Sequence, residues 1–429
     1  MARVVIATFG SLGDLHPAIA LAYGLQARGH QAEIATSEPY RAKIAALGLP
    51  FHAVRPDLSL SNRELAKRVM NGWRSSKVLM REFVFPFVRE TFEDLDRACA
   101  GADLLVASEL AYVAPIVAAR QRMPWVFFGL SPVSFFSVFD PSHLPGPPGS
   151  RWIPRLGPGV NRWFRGAAKR ASHRWWKPLR TLRREHGLPA GHSPLFEGKY
   201  SPHLNLALFS RELQPPPRDW PPHILQTGFC FFDESDSTDA SAALPTEVEA
   251  FLASGPPPIV FTLGSAAVEF AGDFYTESAR AAEKLGRRAL LLLGRNSPPP
   301  RLPPSMLAWN YLPFARIFPR VAAIVHQGGI GTTAQSLRAG RPMLVVPFAH
   351  DQFDNAARIR RLGFGRTLPR RRYRATAVAA ELAALLADES CARRTAETAT
   401  RLRAEDGIAT ACTALESLLP ASARVIGVT

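Results

Sequence analysis

Strand, loop, helix and strand follow one another within about 35 residues at the start of this chain, and that order tightly limits the fold. RVVIATFG (3–10) is apolar and β-branched and predicts a short buried strand. SLGDLHP (11–17) predicts a turn. AIALAYGLQARG (18–29) has apolar residues at helical spacing and stops at Gly29 after an arginine. QAEIATS (31–37) predicts the next strand. Two strands joined by a helix must run parallel, which demands a sheet covered by helices on both faces. The same grammar returns after residue 256. PPIVFTLGSAAV (257–268) is strand then turn, FYTESARAAEKLG (274–286) helix, RALLLLG (288–294) strand and AAIVHQGG (322–329) strand. TTAQSLRAG (332–340) is helix, with Thr332 and Thr333 opening and capping it, and PMLVVPF (342–348) is strand. The chain therefore reads as α/β, with two Rossmann-like domains and no short-period repeat.

With 429 residues, two cores of roughly 200 residues each are expected. FDESDSTDASAALPTE (232–247) is small, polar and acidic and marks the junction. The expected division is 1–230, a linker at 231–256, a second domain at 257–405, and a helical tail at 406–429 that packs back on the first domain. No apolar run is long enough to span a bilayer, and the N-terminus lacks the apolar core of a signal peptide. Cys99, Cys230, Cys391 and Cys412 have no metal-type spacing and suit reduced thiols in the cytoplasm. No metal site is expected.

The net charge is +16, and one stretch concentrates it. Residues 151–184 carry 11 Arg or Lys, no Asp or Glu, and Trp152, Trp163, Trp175 and Trp176. Two readings are open. Basic helices bearing tryptophans favour anionic membrane surfaces, but the segment also suits a solvated basic helix pair with Trp on its buried face. Nucleic acid is not an expected partner, because charge alone supports it and no binding motif accompanies the charge.

The chemistry concentrates in HQGGIGTTAQSLRAGRPMLVVPFAHDQFDNA (326–356). His326 ends a strand. Gly328, Gly329 and Gly331 permit a tight turn that brings backbone N–H groups to a ligand. The helix beyond carries a partial positive charge at its N-terminus, which suits a diphosphate, and His326 can donate to the same group. The next strand end delivers Asp351 and Gln352, a carboxylate and an amide able to engage several hydroxyls. The ligand predicted from these residues is a nucleotide-diphosphate sugar, with no other cofactor.

That order of His, Gly-Gly-x-Gly-Thr, Gly-x-Pro and Asp-Gln resembles the large family 1 of nucleotide-sugar glycosyltransferases, which includes plant secondary-product, sterol and bacterial antibiotic enzymes. The resemblance covers nearly the whole chain. It implies the GT-B fold, with two facing Rossmann-like domains, the donor in the C-terminal one and the acceptor in the N-terminal one. GSLGDLHPAIALAYGLQARGH, DWPPHILQTGFCFFD, GSAAVEFAGDFYTESARAAEKLG and AHDQFDNAARIRRLGFG further resemble the rhamnosyltransferases of rhamnolipid biosynthesis. This implies dTDP-L-rhamnose as donor and a hydrophobic or lipid hydroxyl as acceptor, with UDP-glucose and a sterol, polyketide or flavonoid-like aglycone as the alternative.

The resemblance also assigns roles. Ser265 and Gly13 fall among the donor contacts. Tyr311 falls near the aromatic that stacks on the base. Ala334 replaces a ribose-binding Glu, with Gln335 beside it as substitute. Transfer with inversion needs a general base, and the resemblance puts Asp14, three residues before Pro17, in that position, with His16 as the alternative. The competing role for Asp14 is a simple helix cap. The carboxylate that orients the base in plant enzymes is replaced by Ser108, with Glu109 adjacent. Trp163, Trp175 and Trp176 are the expected acceptor contacts.

Overall fold

The computed structural model describes residues 1–58, 68–70, 75–144, 156–233 and 243–420. Trp152, the middle of the expected linker and the last nine residues of the tail lie outside them. The chain forms two wholly parallel sheets. The first holds β1 (Arg3–Ala7), β2 (Gln31–Thr36), β3 (Phe51–Ala53), β4 (Leu104–Ser108), β5 (Trp125–Gly129), β6 (Leu204–Ala207) and β7 (Ile224–Gln226) in the order β3-β2-β1-β4-β5-β6-β7. The second holds β8 (Ile259–Thr262), β9 (Ala289–Leu292), β10 (Met306–Trp309), β11 (Ala323–His326), β12 (Met343–Val345) and β13 (Gly365–Thr367) in the order β10-β9-β8-β11-β12-β13. In each sheet the strand order reverses beside the central strand, between β1 and β4 and between β8 and β11. Loops at such switch points leave a crevice at the carboxyl ends of the strands.

The helices that position the site are α1 (Leu12–Gln26), α2 (Ala114–Gln121), α3 (Pro158–Ser172), α4 (Lys177–Glu185), α5 (Thr246–Ala253), α6 (Ile330–Ala339), α7 (Gln352–Leu362) and α8 (Gly407–Glu416). Three depart from the expected boundaries. α1 starts at Leu12, not after Pro17. Ser11 caps it, Gly13 N–H donates to the Ser11 hydroxyl, and Asp14 reaches back to the Ser11 N–H, closing a capping box. Local capping chemistry thus outweighs the proline, which costs only one backbone bond. α6 starts at Ile330, with Gly329 as its N-cap and no side-chain cap, so Thr332 and Thr333 lie inside it. α5 falls within the expected linker. Its Val248 and Leu252 pack beside Val260 and Leu290 of the second sheet, so the C-terminal core begins before residue 250.

α8 lies against the N-terminal domain. Its Ala411, Cys412 and Leu415 join the cluster of Ile19, Leu21 and Leu25 from α1, and Arg28 pairs with Glu416 at 2.7 Å. A fully buried leucine contributes about 1.5–3 kcal/mol, so this contact holds the end of the chain across both domains. Gly24 permits it. A Cβ there would stand 2.5 Å from Ile408 Cγ2. The four cysteines are buried and free. Among the described residues, no helix is long and apolar enough to cross a membrane.

Candidate active site

The loop after β1 turns through Gly10 at φ +128°, and a Cβ there would lie 2.4 Å from Asp14 Oδ2. Glycine is what lets the carboxylate fold back on the loop. Oδ2 accepts from Ser11 N–H at 2.8 Å and from the Ser11 hydroxyl at 3.2 Å. No protein partner engages Oδ1 among the described residues. Burial pushes the Asp14 carboxyl up to about 6. The Ser11 bonds oppose the rise, and the Glu109 charge adds to it. Asp14 is therefore a cap through one oxygen and an available acceptor through the other.

His16 stands two residues on, about 200° around the helix. Its ring meets the edge of Phe232 at 5.2 Å. The two candidate bases thus occupy different faces of α1. Glu109, at the end of β4, accepts from the Ser134 hydroxyl at 2.8 Å and pairs with the buried Lys199. Ser108 beside it is buried, and its hydroxyl has no partner among the described residues. Nothing in the sequence pattern singles out Lys199, which lies 90 residues from Glu109.

In the second domain, β11 delivers His326, fully buried, with Nδ1 accepting from Gly328 N–H at 3.0 Å. That bond leaves the proton of the neutral ring on Nε2, a buried donor with no partner among the described residues. Burial drives its pKa down to about 3, so the ring is neutral. Gly328 turns the chain at φ +88°, where a Cβ would stand 2.7 Å from Val345 Cγ1. Because Gly329 supplies no side-chain cap, the N–H groups of Ile330, Gly331 and Thr332 have no helical partner. The short helix Gly264–Ala267, which carries Ser265, abuts the same turn. A Cβ on Gly264 would lie 2.4 Å from Gln327 Nε2 and 3.2 Å from Thr332 Oγ1.

Across the crevice the two helix starts meet. A Cβ on Gly331 would be only 3.8 Å from Gly13 Cα, so the N-termini of α1 and α6 face each other. Asp351 joins them from the β12 end, after His350 at φ +52°. Burial pushes its carboxyl up to about 7, with the Asp14 charge adding to the rise. Asn355 donates to Asp351 Oδ2 and to the Gly328 carbonyl, both at 2.8 Å, tying the Asp351 carboxylate to the glycine turn. Gln352 Oε1 accepts from Phe348 and Ala349 N–H at 2.8 and 3.0 Å, so its oxygen holds the loop.

A charge network that sequence spacing cannot reveal braces α7. Buried Arg358 pairs with Asp354 on its own helix and with Asp140 of the first domain, at 2.8 and 2.6 Å, and Asp140 also binds Arg361. Breaking such a buried pair from one side leaves an uncompensated charge, so these residues fix the orientation of the Asp351 end.

The remaining predicted residues separate. Tyr311 is half-exposed beyond β10, the edge strand three positions from β11, roughly 14 Å from the glycine turn at strand spacing. Gln335 donates to Asp233 at 2.9 Å, and Arg338 grips the same carboxylate at 2.7 Å. Gln335 is thus committed to the segment joining the domains. The three tryptophans form no single surface. Trp163 is 66% exposed on α3, Trp175 packs at the edge of the core, and Trp176 is buried. Trp176 precedes α4 and turns inward with Leu179 and Leu182, while the α3 face bearing Trp163 looks outward.

Comparison with known proteins agrees with this architecture. Residues 4–129 match the glycosyltransferase family 28 N-terminal domain, and residues 294–415 match the erythromycin biosynthesis protein CIII-like C-terminal domain. The chain is 31% identical over 421 residues to the O-mycaminosyltylonolide 6-deoxyallosyltransferase of Streptomyces fradiae, covering 96% of this chain and 97% of that protein. It belongs to the GT-B nucleotide-sugar glycosyltransferases. This glycosyltransferase is also 28% identical over 433 residues to a sterol 3-beta-glucosyltransferase of Emericella nidulans, covering 96% of the chain but 30% of that longer protein. Its fold matches the crystal structure of the kitacinnamycin glycosyltransferase, with a TM-score of 0.71, 22% identity, and coverage of 98% of this chain and 99% of that one. The enzyme is a hexosyltransferase by this kinship. Among its described residues no cluster of His, Cys, Asp or Glu has a metal-binding arrangement.

Proposed function

We propose that the enzyme transfers a 6-deoxyhexose, L-rhamnose from dTDP-L-rhamnose, with inversion, to a hydroxyl on a hydrophobic acceptor. The observation that carries this reading is the meeting of α1 and α6, which brings a carboxylate of raised pKa toward an uncapped helix terminus. In this reading the diphosphate sits on the N–H groups of Ile330, Gly331 and Thr332, and His326 Nε2–H donates to it. The short helix bearing Ser265 closes the phosphate side. The leaving group's charge is met by four neutral donors and the helix dipole, so the reaction needs no metal ion. Asp351 and the amide nitrogen of Gln352 bind sugar hydroxyls. Asp14 Oδ1 removes the acceptor proton as the oxygen attacks the anomeric carbon from the face opposite the departing diphosphate. Asp14 then holds that proton, and dTDP leaves.

The Streptomyces fradiae relative is named for a 6-deoxyhexose and a macrolide acceptor, which supports a 6-deoxy sugar over glucose. The sterol glucosyltransferases favour the second reading, glucose from UDP-glucose to a sterol or polyketide aglycone. A thermal-shift titration with dTDP, UDP, dTDP-rhamnose and UDP-glucose separates them. A ligand at about 100 times its Kd adds roughly 2.7 kcal/mol of stability, and the expected result is stabilisation by the thymidine compounds only. A response confined to UDP-glucose would replace the first reading with the second.

An exposed face of α3 supports a lipid surface as the source of the acceptor. α3 buries only Asn161 and Ser172, while Leu156, Val160, Trp163 and Phe164 stay exposed among Arg162, Arg165, Lys169 and Arg170. Trp163→Ala should reduce sedimentation with vesicles of anionic phospholipid several-fold, and raised salt should reduce it further. Equal sedimentation with neutral vesicles at every salt concentration would remove the lipid-surface reading.

A further inference from the structure

A second cavity lies in the N-terminal domain, away from the crevice. It has a volume of about 500 Å³, within the ~300–1,000 Å³ range of small-molecule sites. One face of α2 forms a wall, α4 another, and the loop from Gly191 to His203 the third. Trp125 and His203 place it beside the N-terminal ends of β5 and β6, whereas Asp14 and Glu109 follow the C-terminal ends of β1 and β4. Tyr112, Met123, Trp125, Trp176, Leu179 and Tyr200 supply the apolar part of the lining.

The lining also carries three polar groups available to a ligand. The indole N–H of Trp176 is buried and has no partner among the described residues. A buried donor left unpaired is costly and is normally satisfied. Arg122 and Arg183 both line the cavity, and neither pairs with a carboxylate among the described residues. Arg183 is held in place. Its Nε–H donates to the Pro189 carbonyl at 2.8 Å, and Gly191 lets the loop close on the guanidinium, since a Cβ there would stand 2.9 Å from Arg183 Nε. That bond leaves its terminal nitrogens for a guest. The one acid of the lining, Glu197, is engaged by Lys169 at 2.8 Å.

We propose that this cavity binds a single-chain amphiphile with a carboxylate head, its hydrocarbon body on the Trp125–Leu179–Tyr200 wall and its carboxylate on Arg183, Arg122 and the Trp176 N–H. An apolar wall that also carries two cations unpaired among the described residues complements an anion-headed chain and disfavours a cationic one. The volume suits one short chain. The site is independent of the sugar-transfer chemistry and holds whichever donor the crevice takes.

Equilibrium dialysis of the full chain with decanoate, decan-1-ol and decyltrimethylammonium tests it. Decanoate should bind saturably at one site, more tightly than decanol, and the cation should not bind. Ala119 is exposed and lines the cavity, so Ala119→Trp fills the space from outside the core and should abolish decanoate binding. The melting temperature of the unliganded variant reports its fold, and its stabilisation by dTDP separately reports the crevice. Arg183→Gln should weaken decanoate about tenfold or more and leave decanol unchanged. Decanoate binding undiminished in a folded Ala119→Trp protein, or decanol bound as tightly as decanoate with Arg183→Gln without effect, overturns the assignment.

Discussion

Asp14→Asn should lower kcat by about 10²–10⁴-fold while leaving the stabilisation by dTDP intact. The substitution is informative because Asp14 has two tasks on two oxygens. Asparagine keeps an oxygen for the Ser11 N–H, which Asp14 Oδ2 accepts at 2.8 Å, so the start of α1 survives. It cannot take a proton. Asp14→Ala, by contrast, should lose the cap as well, at about 1 kcal/mol of stability. The base must be ionised to act, and burial holds the Asp14 carboxyl at about 6. The sign follows: kcat/KM stays level above that value and falls roughly tenfold per pH unit below it. The same substitution removes a charge that raises Asp351, so the Asp351 carboxyl should drop from about 7. Turnover above a tenth of the wild-type value would refute Asp14 as base. If His16→Gln abolished turnover instead, the assignment would pass to the other face of α1.

His326→Ala should reduce kcat/KM by about 10²–10³-fold, the range for loss of one preorganised donor to developing negative charge. The effect should extend to the product complex, with weaker stabilisation by dTDP. Because burial holds the imidazole pKa at about 3, His326 should add no limb of its own to the pH profile between 5 and 8. A neutral donor is the useful form here, since Nδ1 already accepts from Gly328 N–H at 3.0 Å. The substitution also frees that N–H and distorts the turn, so His326→Gln is the companion variant. Its amide can offer one donor and one acceptor, and it should retain more activity than alanine. Unchanged dTDP affinity in both variants would remove His326 from the diphosphate site.

Much of the donor site is legible from local pattern. A strand of four apolar residues, three glycines and a helix must form a turn with backbone N–H groups turned outward, whatever surrounds it. His326, Gly328 and Gly331 stand where that logic puts them. The start of α1 is less legible, because Pro17 suggests a boundary that the Ser11–Asp14 capping box overrules. Gln335 illustrates a different failure. Its position in the helix is plain from sequence, but its partner Asp233 is 102 residues distant.

What the sequence by itself determined is the class of fold and the local shape of the site: two parallel α/β sheets, a glycine turn leading into a helix, and a carboxylate in the loop after the first strand. The turn and the helix starts depend on near neighbours in the chain, and the alternation of strand and helix dictates parallel pairing, so periodicity and turn chemistry report these features directly. Tertiary structure alone decided which groups meet. It brought Gly13 against Gly331 and set Asp14 within electrostatic reach of Asp351. It buried Lys199 on Glu109, and joined Asp140 to Arg358 across the domains. These pairings connect residues 90 to more than 300 positions apart. Their geometry comes from how two sheets dock, and no local preference along the chain encodes it.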